Sequence, residues 1–217
     1  NRMKLSVNTN GSSFEKREYI KVPADIYQAV CVDIEDMGWK KGSFGWKGEI
    51  KFYFEVFVEN EETGEEKAML TKTKAKNAVI SPRSYIYKNI LKSWIGDEEL
   101  GSGKFDLSTL IGRSATIVVE DGEPFIGSNG EEVEWTFVEK CKAAKLDVKP
   151  SGQYVRVIER EGYEAPEFSA FTSGPPEAIA EREAKRAEAK AEREAKKIVK
   201  DTAKEVTKED TDDEVPF

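Results

Sequence analysis

The chain has 217 residues with a formal net charge of −8, and 35% of its residues are charged, a polarity too high for one fully packed domain of that length. It has no histidine, which removes the usual general base and the usual zinc ligand. With an acidic balance overall, any nucleic-acid binding must rest on a local basic patch.

Residues 1–23 are a polar arm without a signal-peptide pattern, and no apolar run reaches the ~18–20 residues of a membrane span. The expectation is a cytoplasmic chain with no membrane partner. Strand signals begin at "DIYQAVCVDIE" (25–35), rich in β-branched residues and ending at Met37-Gly38. "GWKKGSFGWKG" (38–48) reads as a glycine-rich loop. "EIKFYFEVFVE" (49–59) alternates: Ile50, Phe52, Phe54, Val56 and Val58 share one face, and Lys51, Tyr53, Glu55 and Phe57 the other. Glu61-Glu62-Thr63-Gly64 is a hairpin turn leading into a returning strand at 66–74.

Ser81-Pro82 marks a helix start and Gly96 a stop, with Ile86, Ile90 or Leu91, and Trp94 at helical spacing on one face. "SATIVVE" (114–120) is a fourth strand, "EPFIGSNGEE" a turn-rich connection, and "VEWTFVEKCKA" (133–143) a fifth. Three strands, a helix and two more strands are the layout of the oligonucleotide/oligosaccharide-binding (OB) barrel. The predicted fold class is therefore all-β, a five-stranded OB barrel over 24–145 with one helix between strands 3 and 4.

Beyond it, 146–176 has the punctuation of a linker, with "YVRVIER" (154–160) as a candidate edge strand. Residues 177–208 are a Lys/Glu/Ala-rich spacer expected to form a solvated helix, lacking the large apolar heptads of a coiled coil. Residues 209–217 form an acidic tip.

Cys31 and Cys141 lie in apolar, strand-like runs and read as buried thiols, with no ligand spacing for a metal. Asp33, Glu35 and Asp36 could hold Mg²⁺ in principle, but fit a charged strand edge better. "GSFG" and "GSNG" lack the context of a phosphate-binding loop. No enzymatic activity, cofactor or metal is expected.

A basic patch remains. No acid interrupts the stretch from Lys67 to Gly96, which carries Lys67, Lys72, Lys74, Lys76, Arg83, Lys88 and Lys92 with Tyr85 and Tyr87 interleaved. The 38–48 stretch adds Trp39, Lys40, Lys41, Phe44, Trp46 and Lys47, and the outward face of strand 2 adds Lys51, Tyr53 and Phe57. Stacking rings along a positive groove are what single-strand binding requires. The plainer alternatives are a loop folded over the barrel end for Trp39, Phe44 and Trp46, and a solvated face for the lysines. Phe52, Phe54, Trp94 and Phe137 have core spacing.

The chain finishes "DTDDEVPF", and Asp212, Asp213, Glu214, Val215, Pro216 and Phe217 closely resemble the acidic tip of bacterial-type single-stranded DNA-binding proteins. That resemblance implies a docking peptide for replication, recombination and repair proteins. Its phenylalanine would enter a hydrophobic pocket, while basic residues of the partner hold the acids. "YQAVCVDIEDMGW", "LKSWIGDE" and "FDLSTLIGR" resemble phage-encoded single-stranded DNA-binding proteins more diffusely. The spacer departs from the Gly/Gln/Pro-rich bacterial pattern, so tetramerisation and wrapping are not carried over, and a homo-oligomer stays open. The resulting expectation is a non-catalytic protein that coats single-stranded DNA and recruits partners, in a host cytoplasm if viral. A protein-interaction adaptor and an RNA-binding OB protein are the competing readings.

Overall fold

Branched and aromatic residues pack well on a pleated, half-buried surface, and the stretches richest in them form the long strands. The computed structural model describes residues 21–59, 64–101, 105–128 and 130–209. Its main sheet contains β1 (Ile26–Gly42), β2 (Gly45–Glu59), β3 (Glu66–Lys72), β4 (Lys76–Asn77), β5 (Ser114–Asp121) and β8 (Thr136–Ala143). A separate hairpin, β6 (Phe125–Ile126) with β7 (Glu132–Val133), interrupts the connection between β5 and β8. The main order is β3-β2-β1-β5-β8, with β4 also on β2, and the strand pairs are antiparallel.

β1 runs past its expected end. It shifts register between Cys31 and Asp33 and again between Asp36 and Trp39, then continues to Gly42. Such irregularities bend a strand and raise its twist. The first part of β1 thus pairs with β5 while its remainder stays on β2. The stretch 38–48 is consequently no loop: Gly42 pairs with Gly45 and only Ser43-Phe44 make the turn of a long hairpin.

The sheet curls without closing into a continuous barrel. Its outer strands meet at one parallel bridge, Thr73 with Val138. Thr73 is held to β2 instead: its N–H donates to the Phe52 carbonyl (3.0 Å) and its Oγ1 accepts from the Phe52 N–H (3.1 Å). Chain past Lys72 is thereby directed toward β4 instead of extending a ladder along β8.

Ile50, Phe52, Phe54 and Val56 fill the inner face, as the alternation requires. The helix that plugs this core starts later than Ser81-Pro82 predicts. Residues 86–91 form a π-helical turn leading into α1 (Lys92–Ile95), followed after Gly96 by α2 (Asp97–Leu100). The capping hydroxyl belongs to Ser84, whose Oγ accepts from the N–H groups of Tyr87 (3.2 Å) and Ser81 (3.3 Å). Ile86, Ile90, Leu91 and Trp94 are buried; Trp94 lies 5.7 Å from the Phe54 ring and donates its indole N–H to the Ser114 carbonyl.

Cys31 and Cys141 are fully buried in the same core, and burial pushes both thiols well above their ordinary pKa. Because the thiolate is the reactive form, both cysteines are expected to resist a thiol-specific reagent in the native protein and react once urea unfolds it. Labelling of either cysteine before unfolding would contradict this packing.

The segment 146–163 forms neither a free linker nor an edge strand. Its only regular element is a 3-10 turn at Val157–Glu159, and it lies across the outer face of β1 and β2. Val157 packs with Val30, Val32 and Tyr53, flanked by Val148, Tyr154 and Tyr163. Asp33, fully buried, accepts from the Val157 N–H (2.7 Å), Arg156 Nε (3.1 Å) and the Tyr154 hydroxyl (3.2 Å). Glu55 accepts from both the N–H and hydroxyl of Ser151, each at 2.6 Å. Buried carboxylates are tolerated only with such partners, so the outward acids of β1 and β2 serve as attachment points for this strap.

The chain next crosses the β1–β2 hairpin. Trp39 N–H donates to the Phe168 carbonyl (3.0 Å), and the Ala170 N–H donates to Asp36 (2.9 Å). Gly48 lies directly beneath Ala170: a Cβ there would stand 2.8 Å from its carbonyl oxygen and 3.0 Å from its Cα. Backbone cannot yield as a side chain does. Gly48→Ala is therefore expected to destabilise the fold by about 1–3 kcal/mol and to expose 164–175 to limited proteolysis; a wild-type cleavage pattern would contradict this.

Pro176 starts α3 (Pro176–Glu209), a helix of 34 residues, consistent with proline at a first helical position. From Arg182 to Val199 its side chains are exposed, with Lys185–Glu181 and Lys196–Glu192 among its i,i+4 ion pairs. No described helix is long and apolar enough to cross a membrane. The polar arm through residue 20, most of the 61–64 turn and the tip residues Asp212–Phe217 lie outside the described residues.

Candidate nucleic-acid interface

Strand alternation sends Lys51 and Tyr53 of β2 and Lys72 of β3 to the outer face, where Tyr53 and Lys72 are register partners. Lys72 Nζ lies 5.8 Å from the centre of the Tyr53 ring. The Tyr53 hydroxyl donates to Glu35 at 2.5 Å, which occupies that carboxylate. Burial first, then the neighbouring Lys51 charge, lowers the Lys72 pKa; Glu35 opposes this and Arg160 adds to it.

Beyond Lys72 the chain touches β8 at the Thr73–Val138 bridge before turning to β4, and two more lysines rest on aromatic rings. Lys74 Nζ sits 3.7 Å from the Phe137 ring centre and 5.2 Å from that of Trp135. Lys76 Nζ sits 3.7 Å from the centre of Tyr85. Trp135 and Phe137 are 5.4 Å apart, and Trp135 is fixed by an indole N–H donated to the Glu123 carbonyl (2.8 Å). Tyr85 donates its hydroxyl to the Glu139 carbonyl at 2.7 Å. Burial is the main cause of the lowered Lys76 pKa and of the raised Tyr53 and Tyr85 pKa values. The result is three ammonium groups in succession, each on the face of an immobilised ring.

At the other end of β2, the hairpin tip carries Phe44, 83% exposed, with Lys47 Nζ 5.5 Å from its ring centre. Lys40 and Lys41 are exposed beside it. Trp39 and Trp46 are spent differently, lining a cleft with Pro166, Phe168, Pro175 and Pro176. Gly174 packs on the Trp39 indole and the Arg182 guanidinium lies 5.2 Å from its ring centre. Trp39, expected as an open stacking platform, is thus covered by Gly174 and Arg182, while Trp46 borders the cleft half-buried.

Other residues of the sequence-based set fall apart from this row. Phe57 is half-buried opposite Ala68 of β3. Arg83 and Lys88 are exposed around the π-helical turn. Tyr87 donates to Asp97 at 2.5 Å while Lys92 pairs with the same carboxylate at 3.1 Å, forming a local network. The Asp33, Glu35 and Asp36 carboxylates are each committed to different hydrogen bonds, and no group of metal-ligating side chains occurs among the described residues.

Sequence reasoning missed Trp135, Tyr154 and Arg160; Phe137, expected in the core, is buried, with Lys74 over its ring. The available signal for the first was its place in "VEWTFVE", two residues from Phe137 on a strand-like alternation. Tyr154 and Arg160 fall in "YVRVIER", read as a candidate edge strand, and an edge strand gives neither of them a place at the site. Comparison of the chain with protein-family models, curated proteins and solved structures finds no match.

Proposed function

We propose that the chain is a non-catalytic single-stranded DNA-binding protein whose sheet is an OB barrel left partly open. The β3-β2-β1-β5-β8 order, with its outer strands touching in parallel, supports that architecture. The observation that carries the function is the succession Lys72 on Tyr53, Lys74 on Phe137 and Trp135, and Lys76 on Tyr85. Tyr85 and Trp135 are half-buried and can take a base, while Tyr53 and Phe137 are buried, so Lys72 and Lys74 on those rings serve the phosphates. Phe44, Lys40, Lys41 and Lys47 extend the path at the hairpin tip.

The proposal includes the docking role of Asp212, Asp213, Glu214, Val215, Pro216 and Phe217, which rests on their resemblance to the bacterial tip. The helix α3, about 50 Å long at 1.5 Å per residue, would hold such a peptide away from the sheet. Competition on a labelled oligo-dT tests the ligand class: unlabelled oligo-dT should displace it better than a ribo-oligomer of equal length. Better displacement by the ribo-oligomer would assign the site to RNA. Absence of binding by either would leave the adaptor reading.

A further inference from the structure

We infer that the strap segment supplies part of the strand path: Arg160, with Lys51 and Lys72 of the sheet, holds backbone phosphates over a floor made by Tyr53 and Tyr154. This rests on the single-strand reading above and extends it to a segment outside the barrel.

The geometry is specific. Arg160 stands 5.4 Å from the Tyr154 ring centre and donates through Nη2 to the Tyr154 hydroxyl at 3.0 Å. Its Nε donates to the Val155 carbonyl at 3.2 Å, so the side chain is held from two sides. Tyr154 in turn lies 6.1 Å from Tyr53, whose other neighbour is Lys72. The strap and the sheet therefore share one aromatic floor with cations at both ends. A cleft of about 610 Å³ opens at the strap end of this floor, lined by Leu70, Gln153, Tyr154, Val155 and Arg160.

Charge then argues for an anion. Lys51, Lys72 and Arg160 are close enough for the first and last to act on Lys72, yet none forms an ion pair with a described carboxylate. Glu35 is engaged by the Tyr53 hydroxyl, and Glu159 and Glu161 line the cleft on the strap side. Like charges gathered on a half-buried surface repel one another, and an entering phosphate relieves that repulsion. A planar guanidinium fixed by two hydrogen bonds is well suited to a phosphate, and its unused N–H groups remain to donate.

The test is the salt dependence of oligo-dT binding to the full chain. Each phosphate contact adds about 0.7 to the slope of log K against log salt for single strands, which is about fivefold in affinity at 0.1 M. Arg160→Ala is expected to lower the slope by that amount, Arg160→Lys to restore it, and Lys51→Gln to lower it equally. Arg186→Ala, on the exposed part of α3, should change nothing. If wild type binds but Arg160→Ala leaves the slope intact, or Arg186→Ala lowers it as much, the subsite is overturned and the barrel reading stands. Failure of Arg160→Lys to restore the slope also overturns it, because the loss would then come from strap structure. If wild type does not bind oligo-dT, both readings fall together.

Discussion

Asp33→Ala is expected to cost about 1–3 kcal/mol of folding stability for each buried donor it leaves unsatisfied. Asp33 is fully buried, and its carboxylate accepts from the Val157 N–H, Arg156 and Tyr154 together. Alanine would leave those three donors facing a small cavity at the β1 bulge. The arginine could turn outward to water, but the Val157 N–H is fixed by the strap backbone. Equilibrium urea unfolding should show a lower midpoint, and limited proteolysis should cut first within 146–163. Asp33→Asn keeps an acceptor in place and should lose less. A loss for Asp33→Ala within about 0.5 kcal/mol, the range of ordinary surface changes, would mean that the strap is not anchored there.

The second large effect concerns binding. Replacing Lys72, Lys74 and Lys76 together by glutamine is expected to reduce the salt slope for oligo-dT by about 2, and affinity at 0.1 M salt by about a hundredfold. All three ammonium groups lie on ring faces in the free protein, and none is in an ion pair with a described carboxylate. Glutamine keeps much of the side-chain length, so stability should change little. Trp135→Ala removes a ring instead of a charge, and should weaken binding by ~1–3 kcal/mol per stacked base while leaving the slope near that of wild type. Equal slopes for the triple variant and wild type would place the strand elsewhere on the molecule.

Local chemistry made much of the sheet readable. Alternation in "EIKFYFEVFVE" set Ile50, Phe52, Phe54 and Val56 on the inner face, where they are found. Helical spacing of Ile86, Ile90 and Trp94 likewise located the plug, although its cap moved to Ser84. The hairpin at 38–48 was misread because glycines and lysines lower strand propensity, while the pairing that overrides them continues the β1–β2 ladder through this same stretch. The outer face posed a different problem. Tyr53 and Glu55 alternate like solvent-facing residues, and only a segment about a hundred residues later covers them. That segment forms no strand despite its "YVRVIER" run, so no ladder announces its docking.

The same limit applied to the candidate site. Lysines 72, 74 and 76 were legible as an acid-free run, and the structure supplies each with a ring. Two of those rings, Trp135 and Phe137, come from β8 and its approach, brought near by the bridge between Thr73 and Val138. Pairings across such sequence distance depend on topology. Conversely, Trp39 had the composition of a stacking residue but is covered by Gly174 and Arg182 from a segment far along the chain.

The sheet is expected to hold a single strand and not a duplex. Fluorescence anisotropy of the full chain with labelled oligo-dT and with a duplex of equal length, across a salt series, tests it most directly. The account predicts tighter binding to oligo-dT, weakening steeply as salt rises. Equal affinity for both, or no binding to oligo-dT at low salt, would contradict it.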